Sequence, residues 1–451
     1  MALKIGIKKG FDINLQGSIT DDIVNNIPSS SFAIKPEDFI GITRPKLLVK
    51  PGDEVVAGTP LMYDKLLEDI MYTSPVSGEV AEIVRGEKRK IEEIRILADK
   101  KNRYLEFKKF SENEIEKMSK DDASEILKKS GCWLNIIQRP YGIVAEPNAN
   151  PKAIFVSCFD THPLAPSYKE LIKENKSYIQ SGINIIKKFT DGEVHLNCNQ
   201  TIYDDCDFIG VQKNIFSGPH PSGNVGVQIH HIDPINKGDI VWTINPYGLS
   251  QIGRLFLRGM YDTSKVIAVV GSEVNNPGYF RVNIGTNVAE ILKGNLKSDY
   301  SRVISGNVLT GTSISSSGYL GFYDNMITII PEGNHHDFLG WIKPVFNKLS
   351  FHRAFGLFSF LNGKKKYVLD SNTNGELRAF VQTGEFEKVL PMDILPTYLF
   401  KSIMANDYDE MEELGIYELI EEDIALCEFI DVSKNDLQNL LRKGLNLLKE
   451  G

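Results

Sequence analysis

The stretch PKLLVKPGDEVVAGTPLMYDKLLEDIMYTSPVSGEVAEIV, from Pro45 to Val84, decides the fold of the first part of this chain. It contains two turn signals, Pro51-Gly52-Asp53 and Ser77-Gly78-Glu79, each flanked by short runs in which apolar and polar residues alternate. Proline presets φ for a turn and glycine accepts a positive φ, so the first signal suits a tight turn. Alternation with a period of two is typical of half-buried strands. The stretch therefore predicts a small β module built from two similar halves.

The pattern PGDxVxxGxxL followed by SPVSGxV resembles the hammerhead of biotinyl and lipoyl domains, a barrel-sandwich hybrid. Those domains carry a prosthetic group on a lysine at a hairpin tip, and Lys65 lies near that tip here. Its flanking residues and its distance from the Ser-Pro pair differ from the family pattern. We interpret the module as a rigid structural domain, with a carrier arm at Lys65 as the alternative.

Composition excludes several classes of protein. A net charge of −8 argues against a nucleic-acid-binding protein, which usually has a basic excess. No window approaches the roughly 18 uncharged apolar residues of a membrane-spanning helix, and the amino terminus is too polar for a signal peptide. The five cysteines are odd in number and lack a CxxC pair. This pattern favours reduced cytoplasmic thiols over a disulfide framework, a zinc site or an iron–sulfur site.

The order of predicted elements indicates an α/β multidomain chain. The run Lys152–Ser157 is continuously apolar, as in a buried parallel strand. Capping residues and apolar spacing predict a helix over Ser111–Gly131, and another is expected over Asn175–Phe189. Further strands are expected at Glu193–Asn197, Phe208–Val211 and Ile240–Ile244. Strands that alternate with helices predict a layered, Rossmann-like α/β domain.

Residues 265–292 show a different order: strand, Pro-Gly turn, strand, short helix. This order resembles the soluble ligand-binding β-grasp (SLBB) domain. The predicted domains are therefore 1–105 with the hammerhead, 110–260 with the α/β fold, 261–330 with the SLBB-like β-grasp, and 331–451, which is helical from about 391.

The densest set of reactive side chains lies in SGPHPSGN (217–224) and the nearby HHIDP (230–234). Histidine titrates near neutral pH and can hydrogen-bond a quinone carbonyl or deliver a proton to it. The candidate quinone-binding residues here are His220, His230, His231 and Asp233. A metal site is an alternative, but the adjacent pair His230-His231 would point to opposite faces if extended. Ordinary buried or turn histidines are the other alternative.

A second candidate follows the buried strand. Asp160 and His162 lie in SCFDTHPL (157–164), outside the carboxyl end of that strand, where ligands bind in α/β sheets. A helix-capping loop is the alternative. The chain has no GxGxxG after a strand, no GxxxxGK[ST] and no GxSxG, so its motifs predict no catalytic set that works alone.

The segment Phe338–Leu361 is rich in aromatic residues with interspersed basic residues. Such a surface suits docking on a membrane or a membrane-protein partner, for which Trp341, Phe346 and Phe351 are the candidates. A loop packed over a core is the alternative. Between Ser402 and Ser433 there are eleven acidic residues and no basic one, which predicts a solvated face or a surface that docks on a basic partner.

Taken together, the chain resembles the NqrA family, whose members belong to the sodium-translocating NADH:quinone reductase. The matching elements, besides the hammerhead, are IKKGFD (7–12), VSCFDT (156–161), GPHPSGNVGVQIHHIDP (218–234), SGNVL (305–309), FLGW (338–341), PMDILPT (391–397) and EEDIALC (421–427). The resemblance implies a peripheral subunit on the cytoplasmic face of the bacterial inner membrane, in a complex with five other subunits. It also implies electron transfer from NADH to ubiquinone and sodium export by that complex, with no activity of the isolated chain.

The same domain order resembles flavin- and NADH-binding subunits of the Rnf complex and of respiratory complex I. Those relatives carry a glycine-rich flavin loop and a cysteine-rich iron–sulfur segment, both missing here. We therefore expect no tightly bound cofactor, no flavin and no cluster, with ubiquinone as the possible ligand. Three hypotheses stay open: a subunit that binds or guides quinone and supports assembly, a flavin-binding NADH dehydrogenase subunit, and a non-catalytic scaffold.

Overall fold

The computed structural model of this chain describes residues 3–20, 23–335, 338, 348–352, 365–381 and 384–450. The strands are β1 (Leu3–Gly6), β2 (Val24–Asn26), β3 (Ser31–Ile34), β4 (Pro45–Leu47), β5 (Glu54–Val55), β6 (Pro60–Asp64), β7 (Leu67–Thr73), β8 (Gly78–Arg85), β9 (Ile91–Ala98), β10 (Ile137–Arg139), β11 (Ile143–Val144), β12 (Ala153–Ser157), β13 (Val194–Cys198), β14 (Gln212–Ser217), β15 (Val241–Thr243), β16 (Ser264–Val270), β17 (Gly278–Asn283), β18 (Ser301–Ser305), β19 (Thr312–Ile314) and β20 (Met326–Pro331). The helices are α1 (Glu112–Lys117), α2 (Lys120–Ser130), α3 (Lys169–Glu174), α4 (Lys176–Ile186), α5 (Val225–Ile232), α6 (Pro246–Arg258), α7 (Ala289–Leu292), α8 (Pro396–Ala405), α9 (Tyr408–Glu413), α10 (Glu421–Ile430) and α11 (Leu437–Glu450).

A seven-stranded sheet in the order β1-β14-β13-β12-β15-β10-β11 forms the centre of the molecule. The strands β1, β14, β13, β12 and β15 are parallel, and β10 joins β15 in the antiparallel sense. The predicted buried parallel strand is confirmed, because β12 pairs in parallel with β13 on one side and with β15 on the other. The α/β fold is confirmed, and its finer description as Rossmann-like stays a prediction.

The first strand belongs to this central sheet. Leu3 pairs with Asn214 and Gly6 with Ser217, so β1 extends the parallel sheet beyond β14. Likewise β2 joins β17 in another sheet. Both segments precede the hammerhead along the chain and fall within its predicted domain, 1–105, but they pair elsewhere. Alternation predicts a strand but does not determine its partner.

The hammerhead consists of the sheets β3-β9-β8-β5 and β4-β6-β7. At the predicted turn, Gly52 has φ +90°, as a left-handed position requires. Lys65 is exposed at the tip between β6 and β7. The buried Asp64 carboxylate accepts hydrogen bonds from the backbone N–H groups of Thr43 at 2.9 Å and of Arg44 and Leu66 at 3.2 Å each. These contacts hold the tip in place, which supports the interpretation as a rigid module.

The β-grasp part contains the sheet β19-β18-β20-β16-β17-β2 and the short helix α7. It has a core of its own, which includes Ile267, Phe280 and Ile329. A larger core joins the hammerhead, the α/β domain and the carboxyl-terminal helices. The β-grasp part is therefore the one most independent in its packing.

Two predicted elements are wrong in detail. The helix expected over Ser111–Gly131 is divided into α1 and α2, because Ser119 takes an extended conformation and its hydroxyl accepts the backbone N–H of Asp122 at 3.1 Å, as a new N-cap. The strand expected at Phe208–Val211 is a turn, with Gly210 at φ +81° and Ile209 82% exposed. The real strand is β14, four residues later, which the sequence patterns did not predict.

A buried ion cluster joins the carboxyl-terminal helices to the sheet. Arg139, at the end of β10, is 1% exposed. Its Nη1 donates to Asp423 Oδ2 at 2.7 Å and its Nη2 donates to Glu422 Oε1 at 2.6 Å, both in the first turn of α10. Nearby, Arg442 makes a two-pronged contact with Glu421, at 2.5 and 2.6 Å. The acidic segment thus docks on basic residues of the same chain.

Replacing Arg139 by Gln is expected to lower the unfolding free energy by about 3–5 kcal/mol, because two buried carboxylates lose their cation. Thermal unfolding and amide hydrogen exchange measure the effect, and exchange should rise first in α10. The control is Arg103→Gln, which removes exposed ion pairs and should cost less than about 1 kcal/mol. Equal losses in the two variants would contradict the role assigned to the buried cluster.

Candidate functional site

Two loops meet at the carboxyl edge of the parallel sheet. One follows β12 and spans residues 158–164, and the other follows β14 and spans residues 218–224. The backbone N–H of Gly223 donates to Thr161 Oγ1 at 3.0 Å, and Ser157 Oγ donates to the carbonyl of Gly223 at 3.1 Å. A Cβ on Gly223 would lie 2.7 Å from Thr161 N, so only glycine lets the loops approach this closely. The sheet topology therefore brings both predicted motifs to one place.

Asp160, His162 and His220 form an acid–histidine cluster where the loops meet. His162 Nδ1 and its backbone N–H both face Asp160 Oδ1, at 2.6 and 2.8 Å. The imidazole rings of His162 and His220 are 4.7 Å apart between centroids. His220 Nδ1 lies 3.1 Å from the hydroxyl of Thr161. Three of the six predicted ligand residues are thus in direct contact.

The amino-terminal segment supports His220 from the other side. The backbone N–H of His220 donates to Asp12 Oδ1 at 2.9 Å, and its carbonyl accepts from Phe11 N at 2.8 Å. Gly10 has φ +139°, and a Cβ there would lie 2.1 Å from the carbonyl oxygen of His220. The motif GFD at 10–12 therefore positions the histidine loop.

The pKa values of Asp160 and His162 shift apart, as expected for an ion pair. Burial alone would raise the pKa of Asp160, but the charge and hydrogen bonds of His162 outweigh it and lower that pKa. Burial would lower the pKa of His162, but the charge and hydrogen bond of Asp160 outweigh it, and with the charges of Glu422 and Asp423 they raise that pKa. The geometry therefore favours a carboxylate beside an imidazolium.

His220 is the opposite case. Burial lowers its pKa to about 3, and the positive charge of His162 contributes to that shift. His220 is 1% exposed and therefore stays neutral at physiological pH. The cluster holds one protonated and one neutral imidazole side by side, an arrangement suited to separate donor and acceptor roles.

Several buried polar atoms around this cluster lack a hydrogen-bond partner within the described ranges: Nε2 of His162, Nε2 of His220, Nε of Arg139, Oδ1 of Asn224 and Oδ1 of Asp423. Buried polar atoms are rarely left without a partner. Asn224 Nδ2 also donates to the carbonyl of Glu422 at 2.8 Å, which connects the loop to α10. The concentration of such atoms in one place indicates room for a hydrogen-bonding molecule.

The other predicted ligand residues lie outside this cluster. His230 uses both ring nitrogens elsewhere, because Nδ1 is 2.8 Å from Glu418 Oε2 and Nε2 accepts from Asp393 N at 3.0 Å. His231 Nδ1 lies 2.9 Å from the carbonyl of Val227, one turn back in α5. Asp233 Oδ1 accepts from Lys152 Nζ at 2.8 Å. His230 connects α5 to the carboxyl-terminal region, and the structure gives it a packing role.

The metal alternative gains no support from geometry. The pair His230-His231 lies in a helix, not in an extended segment. Across the part of the chain that the structure describes, no group of three or more His, Cys, Asp or Glu side chains is arranged to hold a metal ion.

Of the predicted docking residues, Trp341 and Phe346 lie outside the described residues. Phe351 is half-buried, and its ring meets that of Phe11 edge to face, with centroids 5.3 Å apart. At this position the structure favours the alternative of a segment packed over a core.

Six residues of this region had no predicted role at the site: Arg139, Glu422, Asp423, Thr161, Asn224 and Asp12. Thr161 and Asn224 lie inside the two predicted motifs, and Asp12 lies inside GFD. The acidic pair lies in a run whose composition mainly predicts a solvated face. Arg139 carries no local signal, because its partners are more than 280 residues away along the chain.

Two cavities lie elsewhere. One, of about 290 Å³, lies between α3, α6 and the β-grasp strands, and the other, of about 380 Å³, lies between the hammerhead and the β-grasp. None of the six predicted ligand residues lines either cavity. Among the described helices, none is both long and apolar enough to cross a membrane.

A barrel-sandwich module, a parallel α/β sheet and a β-grasp in one chain define a class of multidomain α/β protein. Three family models match its parts: the NqrA N-terminal barrel-sandwich hybrid domain at residues 5–99, the NqrA second alpha/beta domain at 118–261 and the NQRA C-terminal domain at 266–316. The chain belongs to the NqrA family of the Na(+)-translocating NADH-quinone reductase.

Relatives named as this component of the Na(+)-translocating NADH-quinone reductase match along nearly the whole chain. The protein of Histophilus somni strain 129Pt is 36% identical over 99% of this chain and 100% of its own length. That of Rhodopirellula baltica is 35% identical over 98% and 97%. A crystal structure of an NAD+-reducing [NiFe]-hydrogenase in the H2-reduced state is similar over 48% of each chain, with 12% identity and a TM-score of 0.35.

The acid–histidine cluster predicts a stability loss in weak acid. The pKa of His220 is about 3 in the folded chain and roughly 6.5 when unfolded, so below pH 6.5 protons bind the unfolded chain preferentially. The stability from neutral His220 is complete above pH 6.5 and is lost as pH falls towards 3. At pH 5 the wild type should have lost about 2 kcal/mol more than His220→Gln, relative to pH 7.

Chemical denaturation of both proteins at pH 7, 6 and 5 checks this expectation. His231→Gln is the matched control, since His231 lies towards the surface and should leave the pH slope unchanged. Parallel pH curves for wild type and His220→Gln would contradict a buried neutral His220.

Proposed function

We propose that the chain is a peripheral subunit on the cytoplasmic face of the bacterial inner membrane, in a sodium-pumping NADH:ubiquinone oxidoreductase. Its contribution is quinone binding or reduction, together with assembly of the complex. Its partners are the other five subunits, chiefly the membrane subunits, and ubiquinone. It holds no flavin, no iron–sulfur cluster and no other tightly bound cofactor. Membership of the NqrA family supports the complex, and the acid–histidine cluster supports the quinone role.

One observation carries the quinone role: two adjacent buried imidazoles whose Nε2 atoms have no partner among the described residues. A quinone carbonyl accepts hydrogen bonds, and reduction to the quinol consumes two electrons and two protons. His162, protonated and held by Asp160, is suited to donate a hydrogen bond or a proton from Nε2. The electrons come from NADH through the rest of the complex.

The other groups of the cluster have supporting roles in this proposal. Asp160 fixes the ring of His162 and keeps it charged, and Thr161 orients the neutral ring of His220. Because His220 is 1% exposed, access for a quinone head requires the loops 158–164 and 218–224 to separate. Only a few hydrogen bonds connect these loops directly, through Gly223.

A non-catalytic scaffold is the second candidate, and a different observation favours it. Arg139, His230 and Asn224 all bind the segment that leads into α10, so much of the polar chemistry at this sheet edge holds the chain together. In that case buried water molecules satisfy the two Nε2 atoms, as is common for interior polar groups.

Titration of the purified full chain with ubiquinone-1, by calorimetry, tests the quinone role. We expect saturable binding in the wild type. His162→Ala should weaken it about tenfold or more, because a hydrogen bond from a charged group contributes about 1.5–3 kcal/mol. In the assembled complex, the same variant should lower kcat/KM for ubiquinone while the complex still forms.

His231→Ala is the control, since that ring contacts its own helix and should leave the affinity unchanged. Saturable binding that is insensitive to His162→Ala and to His220→Ala would remove the quinone from this cluster. A complete lack of saturable binding, with normal assembly of the complex, would favour the scaffold.

A further inference from the structure

The cavity of about 290 Å³ between the α/β domain and the β-grasp has the features of a ligand site that is separate from the acid–histidine cluster. Its walls come from α3, α6, β16, β17 and β2. Small-molecule sites occur preferentially at such domain boundaries. The lining residues that matter here are Ser250, Tyr247, Tyr279, Arg254, Arg281 and Lys169.

Ser250 is the most informative wall residue. It lies on α6, is 2% exposed, and its hydroxyl has no hydrogen-bond partner in the described part of the chain. A serine buried in this way costs stability relative to alanine, because its hydroxyl lost water without gaining a partner. A polar atom of this kind on the wall of a cavity is a ready hydrogen-bond donor for a bound molecule.

Aromatic rings form part of the apolar wall. The hydroxyl of Tyr247 donates to the carbonyl of Val266, which connects α6 to β16 across the domain boundary. The Tyr247 ring also meets Tyr168 edge to face, with centroids 5.8 Å apart. Tyr279 lines the cavity from β17. A ring held at both ends in this way presents a fixed aromatic surface, which suits a flat ligand.

The charges of the wall favour an anion. Four basic residues and two acidic residues line the cavity: Lys169, Arg254, Lys265, Arg281, Glu170 and Glu174. Arg254 is held in place by Asp262 at 3.1 Å and Asn175 at 2.6 Å. Arg281 has an exposed side chain, 43% accessible, and lies 3.9 Å from Glu174, so it is available at the rim. The surplus of positive charge attracts a negative group to the entrance.

The volume limits the size of the ligand. An apolar cavity of about 150 Å³ accommodates one benzene molecule. A cavity of about 290 Å³ is nearly twice as large and therefore suits two fused rings.

We propose that this cavity binds a flat, two-ring aromatic carboxylate, with its rings against Tyr247 and Tyr279, a hydrogen bond from Ser250 and its negative group near Arg281. Such a ligand would touch both domains at once. Its binding therefore stabilises their contact by mass action, since it binds only the joined arrangement. This inference is independent of the proposed quinone role.

Titration of the full chain with 2-naphthoate, followed by calorimetry and by thermal unfolding, tests the proposal. We expect saturable binding and a rise in Tm with ligand concentration. Ser250→Ala should weaken the affinity about fivefold through loss of one neutral hydrogen bond. Arg281→Gln should weaken it about threefold at low salt and should reduce its salt dependence.

Ser272→Ala is the matched control. Ser272 is also buried, its hydroxyl also lacks a partner within the described residues, and it does not line the cavity. Both serine variants should fold and equal or exceed the wild type in Tm without ligand, but only Ser250→Ala should lose affinity. Equal loss in both, or no saturable binding by wild type at millimolar naphthoate, would overturn the proposal.

His162→Ala separates this site from the quinone proposal. It should leave naphthoate binding unchanged, because His162 does not line the cavity. Loss of naphthoate binding in that variant would place the ligand at the acid–histidine cluster and overturn the separate site.

Discussion

The buried guanidinium of Arg139 is the interaction on which the arrangement of this chain depends most. A charge removed from water must find partners, and Arg139 finds them in Glu422 and Asp423, at the far end of the sequence. The adjacent glycine Gly226 has no room for a Cβ, which would lie 2.3 Å from Asp423 Oδ1 and 2.5 Å from Arg139 Nη1. The start of α10 is therefore fixed against both the sheet and α5. A hydrophobic contact would tolerate sliding, but two charge-assisted hydrogen bonds at 2.6–2.7 Å define one position.

The same constraint shapes the electrostatics of the acid–histidine cluster. Glu422 and Asp423 help to raise the pKa of His162, and His162 in turn helps to keep His220 neutral. Asp12 holds the backbone of His220 from the opposite direction. The two ends of the chain thus meet at one edge of one sheet. An edge built from distant segments opens and closes only as those segments move, so quinone access and assembly of the complex would be physically linked in the proposed function.

Sequence patterns predicted the hammerhead and the buried strand β12 because both depend on local chemistry. Gly52 takes the positive φ that its turn needs, and the apolar run before Ser157 suits a strand buried on both faces. The rule that ligands bind beyond the carboxyl ends of parallel strands correctly placed Asp160 and His162 beside His220. Patterns were wrong where two local signals competed. Phe208–Val211 looks like a strand, but Gly210 turns the chain there and β14 begins at Gln212.

The sequence by itself determined the family, the module types and the candidate motifs, because motifs and periodicities are written in adjacent residues. Only the tertiary structure decided which histidines act together. His230 looked equivalent to His220, but both of its ring nitrogens bind Glu418 and Asp393, whereas Nε2 of His220 stays buried without a described partner. Arg139 and Asp12 were decided in the same way, since their partners lie more than 200 residues away. Long-range pairing is a property of the packed chain, and no local pattern encodes it.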